Sequence, residues 1–313
     1  MALNYAQVWE PELLEILIQG TLTSPFVTQN VRWLDAKTFH FTQMSTSGYK
    51  KHSRNGGWNK GSFAQTDVPF TLEHDRDISF LVDKAEVDET NQTASIQNIS
   101  RTFEQTQAVP ETDALFFSKV AQKAQETEGY HSSTAAADYT AENTFSKLKG
   151  YLAAGKLRRY KASGSLIMYV TSAIMDNLEN SKEFSRKIEM TQIAEGGIGI
   201  ETRVTDIDGV PVMEVVDDER FYDKFNFDPT DGGFEPVASE SHRINVLVAC
   251  GQTCKTVPKI SSIYYFEPGT HTEGDGYLYQ NRSLSDVFVF PNGKDGKVDS
   301  IYVDVDTTAY TAV

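Results

Sequence analysis

Hydrophobic positions in this chain change period several times, and each change marks a different kind of element. Leu13, Leu14, Leu17 and Ile18 recur at helical spacing behind Pro11, and Gly20 ends the run, which predicts a short helix in an N-terminal arm. Residues 21–30 read as extended linker. Phe39 and Phe41 then alternate with polar residues, and Val68, Phe70 and Leu72 alternate again beyond the glycine-broken stretch KKHSRNGGWNKG. Two period-two runs flanking an irregular segment predict a long hairpin with a disordered-looking tip. A further alternation, Ile78, Phe80 and Val82, leads into EVDETNQ, where Thr90 or Asn91 can cap a helix.

Ile96, Ile99 and Phe103 form one helical stripe, which resumes after Pro110 as Ala114, Phe117, Ala121 and Ala124. Together they predict a long helical spine that Pro110 kinks or restarts, with Pro110 as its hinge. Phe145, Leu148 and Leu152 predict another helix over 141–154, stopped by Gly155. SLIMYV and RINVLVA are apolar on both faces, as central strands are, and VTSAIMDNLENS reads as a short helix behind the first. In IDGVPVMEVV, Asp208-Gly209 is a hairpin-turn dipeptide. The chain closes with DVFVF, the turn PNGKDGK, and SIYVDVD, where Ile301, Val303 and Val305 alternate with polar residues; residues 227–241 read as a mobile loop.

Length and composition narrow the function classes. A chain of 313 residues can bury a sizeable core without disulfides or metal, and Cys250 and Cys254 are too few for a disulfide framework. The opening MALNYAQVWE lacks the features of a secretory leader and no apolar run spans a membrane, so the chain reads as a soluble cytoplasmic product. His40, His52, His74, His131, His242 and His271 fall in no metal-binding spacing, and no HExxH, GxSxG or P-loop pattern occurs. The residues therefore predict no enzyme, no catalytic site and no cofactor. Cys250 and Cys254 with His242 and His271 make a zinc site arithmetically possible, but the paired CxxC or HxxxH elements of structural zinc are missing, so buried thiols are the simpler reading. DIDG (206–209) and NGKDG (292–296) cluster oxygens near glycine, yet turn chemistry accounts for both without calcium.

Charge adds one unusual feature. The net charge is −15, yet residues 36–66 hold no acid while Lys37, Lys50, Lys51, Arg54 and Lys60 are all cationic. Directly afterwards come Asp67, Glu73, Asp75, Asp77, Asp83, Glu86, Asp88 and Glu89, offset only by Arg76 and Lys84. One hairpin thus has a basic tip and an acidic base. A nucleic-acid module would use the tip on phosphates, with Trp58 or Tyr49 stacking on bases; a plain solvated loop needs no partner. A third reading lays each basic tip across the acidic base of the next copy in a symmetric assembly. Such pairs set register, and the apolar arm residues Trp9, Leu13 and Leu17 supply burial on a neighbour.

The order of elements resembles the major capsid protein of tailed double-stranded-DNA bacteriophages, the Hong Kong 97 type of coat fold, over essentially the whole chain. The resemblance rests most on VDKAEVDETNQTASIQNISRTFEQTQAVPETDALFFSKVA (82–121), DIDGVPVMEVVDDERF (206–221) and the closing DVFVFPNGKDGKVDSIYVDVD. It implies an α+β fold with an N-arm (1–32), an extended E-loop hairpin (33–82), a P-domain with the spine helix and a second helix (83–165), an A-domain (166–268) and return strands of the P-domain (269–313). It also implies pentamers and hexamers in an icosahedral virion shell enclosing DNA without sequence-specific binding, assembled in a bacterial cytoplasm. No scaffold-like extension precedes the arm, so a separate scaffolding protein is implied, with a portal and decoration proteins as further partners. Lys50, Lys51 and Lys60 are proposable for the covalent crosslinks of some members, though lysines at a loop tip are ordinarily solvated. The rival readings are an encapsulin-like nanocompartment shell and a carbohydrate-binding or adhesion protein, the latter with a deep acidic cleft.

Overall fold

The structure, a computed structural model, describes residues 20–28, 37–52, 58–84, 96–181, 189–191, 202–230, 232–292 and 298–311. Strands β1 (Thr38–Thr46) and β2 (Phe63–Thr71) pair antiparallel over nine residues each, from Thr38↔Thr71 to Thr46↔Phe63, and make a two-stranded sheet of their own. After three residues the chain enters β3 (Asp75–Asp83), which leaves the hairpin for a different sheet. Thr90 and Asn91, the expected helix caps, lie outside the described residues.

Helix α1 (Ile96–Phe103) runs without a break through a π-helical stretch at Glu104–Ala108 into α2 (Val109–Gln125). The spine neither stops nor restarts at Pro110. Proline has no N–H to bond back to the carbonyl four residues earlier, and its ring crowds that carbonyl. The wider π turn immediately before Pro110 absorbs the misfit. Thr106 and Thr112 hydroxyls donate to the carbonyls of Thr102 (2.8 Å) and Ala108 (2.9 Å), satisfying backbone acceptors on either side.

The chain continues through β4 (His131–Ser133), α3 (Thr144–Leu152), α4 (Arg158–Lys161), β5 (Leu166–Thr171), α5 (Ser172–Glu179), β6 (Glu189–Thr191), β7 (Thr202–Ile207) and β8 (Val210–Val215). Asp208 and Gly209, with φ of 55° and 82°, make the two-residue turn between β7 and β8, as the dipeptide predicts. Short strands β9 (Phe225–Asn226) and β10 (Glu235–Pro236) pair with each other across the segment 227–241, and the rings of Phe225 and Phe234 lie 5.5 Å apart. The long strands β11 (His242–Cys250), β12 (Cys254–Phe266), β13 (Gly276–Val289) and β14 (Tyr302–Ala309) complete the fold.

Two sheets follow. The smaller has the order β12-β13-β3, and the larger has seven strands in the order β4-β14-β11-β5-β8-β7-β6. The boundary expected at 268 therefore falls in the turn between two paired strands of one sheet. Of the segment 269–313, β13 joins the small sheet while β14 pairs with β11 in the large one. Register explains this: the run from Cys254 to Phe266 is matched to β13 along nearly its whole length, whereas Val303 and Val305 of β14 bury into the core beneath α2. Gly276 lets β13 close on β3, since an added Cβ would lie 2.3 Å from the Val82 carbonyl oxygen.

β5 and β11 are neighbours at the centre of the large sheet, and both faces of that centre are covered. On one face Tyr169 and Leu247 meet Phe117 and Phe221 of the cluster around α2; on the other Met168, Val170, Val246 and Val248 meet Leu148 of α3 and Ile174 and Leu178 of α5. Two-sided burial is why SLIMYV and RINVLVA lack a polar face. α2 is buried well beyond its predicted stripe. Leu115, Phe116 and Val120 join Ala114, Phe117, Ala121 and Ala124 in the core, because the helix has sheet on one side and the base of the arm on another.

Candidate assembly surface

Among the described residues the hairpin is held at its base. Phe39 is buried at its base, stacked on its cross-strand partner Phe70 (5.5 Å) and edge-on to Phe288 (5.0 Å), while Phe70 meets Phe290 (5.3 Å). Leu72 donates its amide to the Lys37 carbonyl and is itself buried, closing the base. Nine residue pairs carry the ribbon about 30 Å outward. Along that length Met44 and Phe63 are exposed, and at the tip Tyr49 and Trp58 are fully so. Lys50, Lys51 and Lys60 are exposed beside them. The tip is tied together by the Asn59 amide donating to the Lys51 carbonyl (2.9 Å) and the Ser62 N–H donating to Ser47 Oγ (2.9 Å). Arg54 lies outside the described residues.

At the acidic base the predicted set divides. Asp75 is neutralised within its own chain: Arg282 grips it through Nε to Oδ1 (3.1 Å) and Nη2 to Oδ2 (3.0 Å), and Lys37 Nζ adds a contact at 3.2 Å. Arg282 above all, with a smaller contribution from Lys37, holds the Asp75 carboxyl down at about 2 although burial opposes it. A contact from Asp75 to a neighbour's lysine would share a carboxylate already paired within its own chain. The reason is that β3 pairs with β13, putting Arg282 near it, a contact across more than two hundred residues. Glu73 and Asp77 keep exposed side chains. Glu86, Asp88 and Glu89 lie outside the described residues, as do Trp9, Leu13 and Leu17 of the arm.

The base of the arm is anchored by a group that no sequence pattern picks out. Asp113 of α2 is completely buried and accepts from the amides of Leu22 (3.0 Å) and Thr23 (3.2 Å), from Thr23 Oγ1 (2.7 Å) and from Arg220 Nη1 (2.9 Å). Arg220, almost as buried, also pairs with Asp217. Burial pushes the Asp113 carboxyl up, and Arg220, Thr23 and the Leu22 amide draw it back. Tyr169 Oη donates to the Leu22 carbonyl (2.9 Å), and Phe26 packs on Phe116 with ring centres 4.5 Å apart. Thr28 bonds to Thr256 of β12. The arm therefore leaves the body from a fixed point. A second buried carboxylate, Asp304 of β14, accepts from Thr134 (2.8 Å), Tyr139 (2.6 Å), Asn245 (3.0 Å) and Ser132, so Ser300, Tyr302 and Asp304 of SIYVDVD are interior too.

The remaining sequence candidates separate. Cys250 and Cys254 are free and buried, and burial pushes the Cys254 thiol up to about 12, which makes it a packing group. His242 Nδ1 donates to the Asp306 carbonyl and His271 Nε2 to that of Gly276; among the described residues no three His, Cys, Asp or Glu gather as metal ligands. Pro110 is buried in the first turn of α2. Among the described residues no helix is long and apolar enough to cross a membrane.

No protein-family model and no curated protein matches the chain. Solved structures do. The chain is similar to the asymmetric unit of the bacteriophage PhiM1 mature capsid at 12% identity, covering 97% of this chain and 92% of that one with a TM-score of 0.63. It is similar to a structure from Mycobacterium phage Che8 at 12% identity, 97% and 98% coverage and a TM-score of 0.59. The capsid structure of the cyanophage P-SCSP1u matches at 10% identity, 98% and 94% coverage and 0.58. The fold is thus the α+β coat fold of Hong Kong 97-like phage capsids, as the resemblance implies.

Proposed function

We propose that this chain is a major capsid protein, whose copies assemble as pentamers and hexamers into an icosahedral head around double-stranded DNA. One observation carries the reading: among the described residues the β1–β2 ribbon pairs only with itself and is covered only at its base, and it exposes Met44, Tyr49, Trp58 and Phe63 beyond it. A two-stranded ribbon is at best marginally stable in water and needs a further layer to persist. A sister copy supplies that layer, and a surface contact between non-equivalent patches closes into rings. The full-length likeness to a mature phage capsid supports the same assignment.

In this reading residues 33–82 act as the E-loop, with Lys50, Lys51, Arg54, Trp58 and Lys60 meeting a neighbour near Glu73, Asp77, Glu86, Asp88 and Glu89. Trp9, Leu13 and Leu17 cover another copy from the anchored arm. Residues 166–268 gather at the five- and six-fold positions, and the spine flexes at the π turn before Pro110 during shell expansion. A scaffolding protein, portal and decoration proteins are its partners, the host cytoplasm its place of assembly, and the chain performs no catalysis.

Sedimentation velocity and electron microscopy of the purified chain, with and without a scaffolding partner, test this. Closed particles are expected. A compact monomer with its hairpin folded onto its own body, at every concentration and salt level, would overturn it.

A further inference from the structure

The densest run of positive charge is not at the hairpin tip. Between Asn143 and Met175 there is no Asp or Glu, while Lys147, Lys149, Lys156, Arg158, Arg159 and Lys161 fall within fifteen residues of a chain whose net charge is −15. The fold concentrates part of this run. α3 and α4 turn back on each other beside the β7–β8 turn and leave an open cleft of about 480 Å³, lined by Lys149, Leu152, Arg158, Lys161 and Asp208. Asp208 is the one carboxylate in that lining, and it is shared by Lys161 Nζ (3.1 Å) and Lys149 Nζ (3.7 Å). Three cations against one anion leave the cleft positive. Arg158 is exposed in that lining and enters none of the ion pairs found among the described residues.

We infer that this cleft is an anion site that takes a phosphate group, with Lys149, Arg158 and Lys161 as its ligands. Arginine's planar fork suits phosphate, and a concave wall with little competing acid raises the local potential. A low overall affinity for polyanions follows from the net charge, so contact is confined to this spot. Asp208 occupies the two lysines when the cleft is empty. Its φ of 55° is a conformation asparagine tolerates well, so the carboxylate can be removed without disturbing the turn. Phosphate has two sources, free inorganic phosphate and the phosphodiester chain of nucleic acid. The site needs no assembled shell, so its test is independent of the capsid reading.

Binding of a fluorescent DNA duplex to unassembled subunits is measured by anisotropy across a salt series, with inorganic phosphate as competitor at constant ionic strength. The wild type is expected to bind with affinity falling as salt rises, and Arg158→Ala to lower the salt slope by about 1. Asp208→Asn works in the opposite direction: affinity rises several-fold, which a folding defect cannot mimic. Displacement by inorganic phosphate supports a site open to either source; displacement only by a second duplex supports the phosphodiester chain. The inference fails if Arg158→Ala and Asp208→Asn both bind DNA and phosphate as the wild type does. It fails equally if these changes alter particle formation alone, which would mark the run as a contact between copies.

Discussion

Asp75 and Asp113 are both paired carboxylates, and their surroundings give the pairs different worth. Asp75 is partly open to solvent, where an ion pair contributes only about 0.2–1 kcal/mol. Its depressed carboxyl stabilises the fold above the unfolded value near 4, and that contribution is lost as pH falls through about 2. Asp75→Asn should therefore lower stability by under about 1 kcal/mol at pH 7, and the difference should shrink steadily as pH falls from about 4 toward 2, measured as urea midpoints across that range. Asp113 sits in the core with Arg220, and removing one partner leaves a buried charge exposed to low dielectric. Asp113→Asn should cost about 3 kcal/mol in urea unfolding with an unchanged slope, and an equal midpoint to wild type would refute the anchor. The two aspartates look alike in sequence; Asp113 merely interrupts an apolar helix, and nothing local announces that Thr23 and Arg220 meet it.

Among the elements, the hairpin and the spine were legible because their cues are local. Alternation of Phe39 and Phe41 against Val68, Phe70 and Leu72 marks two strands, and a stripe from Ile96 to Ala124 marks a helix. Pro110 was legible as a perturbation but not as its outcome, since a kink, a restart and a π turn are close in energy and packing selects among them. Because among the described residues the ribbon is clamped at its base, by the aromatic rings and Leu72, its tip contributes little to folding of the body. Replacing residues 48–61 by Asn-Gly should leave the thermal midpoint of the subunit within a few degrees of wild type, checked by calorimetry.

For the molecule as a whole, the same replacement should abolish particle formation, since it removes Tyr49, Trp58 and the tip cations proposed to meet a neighbour while sparing the core. Particles formed normally without the tip would remove the hairpin from the contacts between copies. The segregation of charge along the chain pointed to partners, yet the pairing of Asp75 with Arg282 shows that part of the acidic base is spent internally. The basic run from Lys147 to Lys161 was equally readable in sequence, but only the meeting of α3, α4 and the β7–β8 turn makes a cleft of it. Local period and turn chemistry determined where helices and strands lie, because those signals act within a few residues of backbone. Strand order, the split of β13 and β14 between two sheets, and the burial of Asp113 and Asp304 were decided by tertiary packing. Their energies come from contacts between residues far apart in the chain, and such contacts exist only once the sheets have closed on the spine.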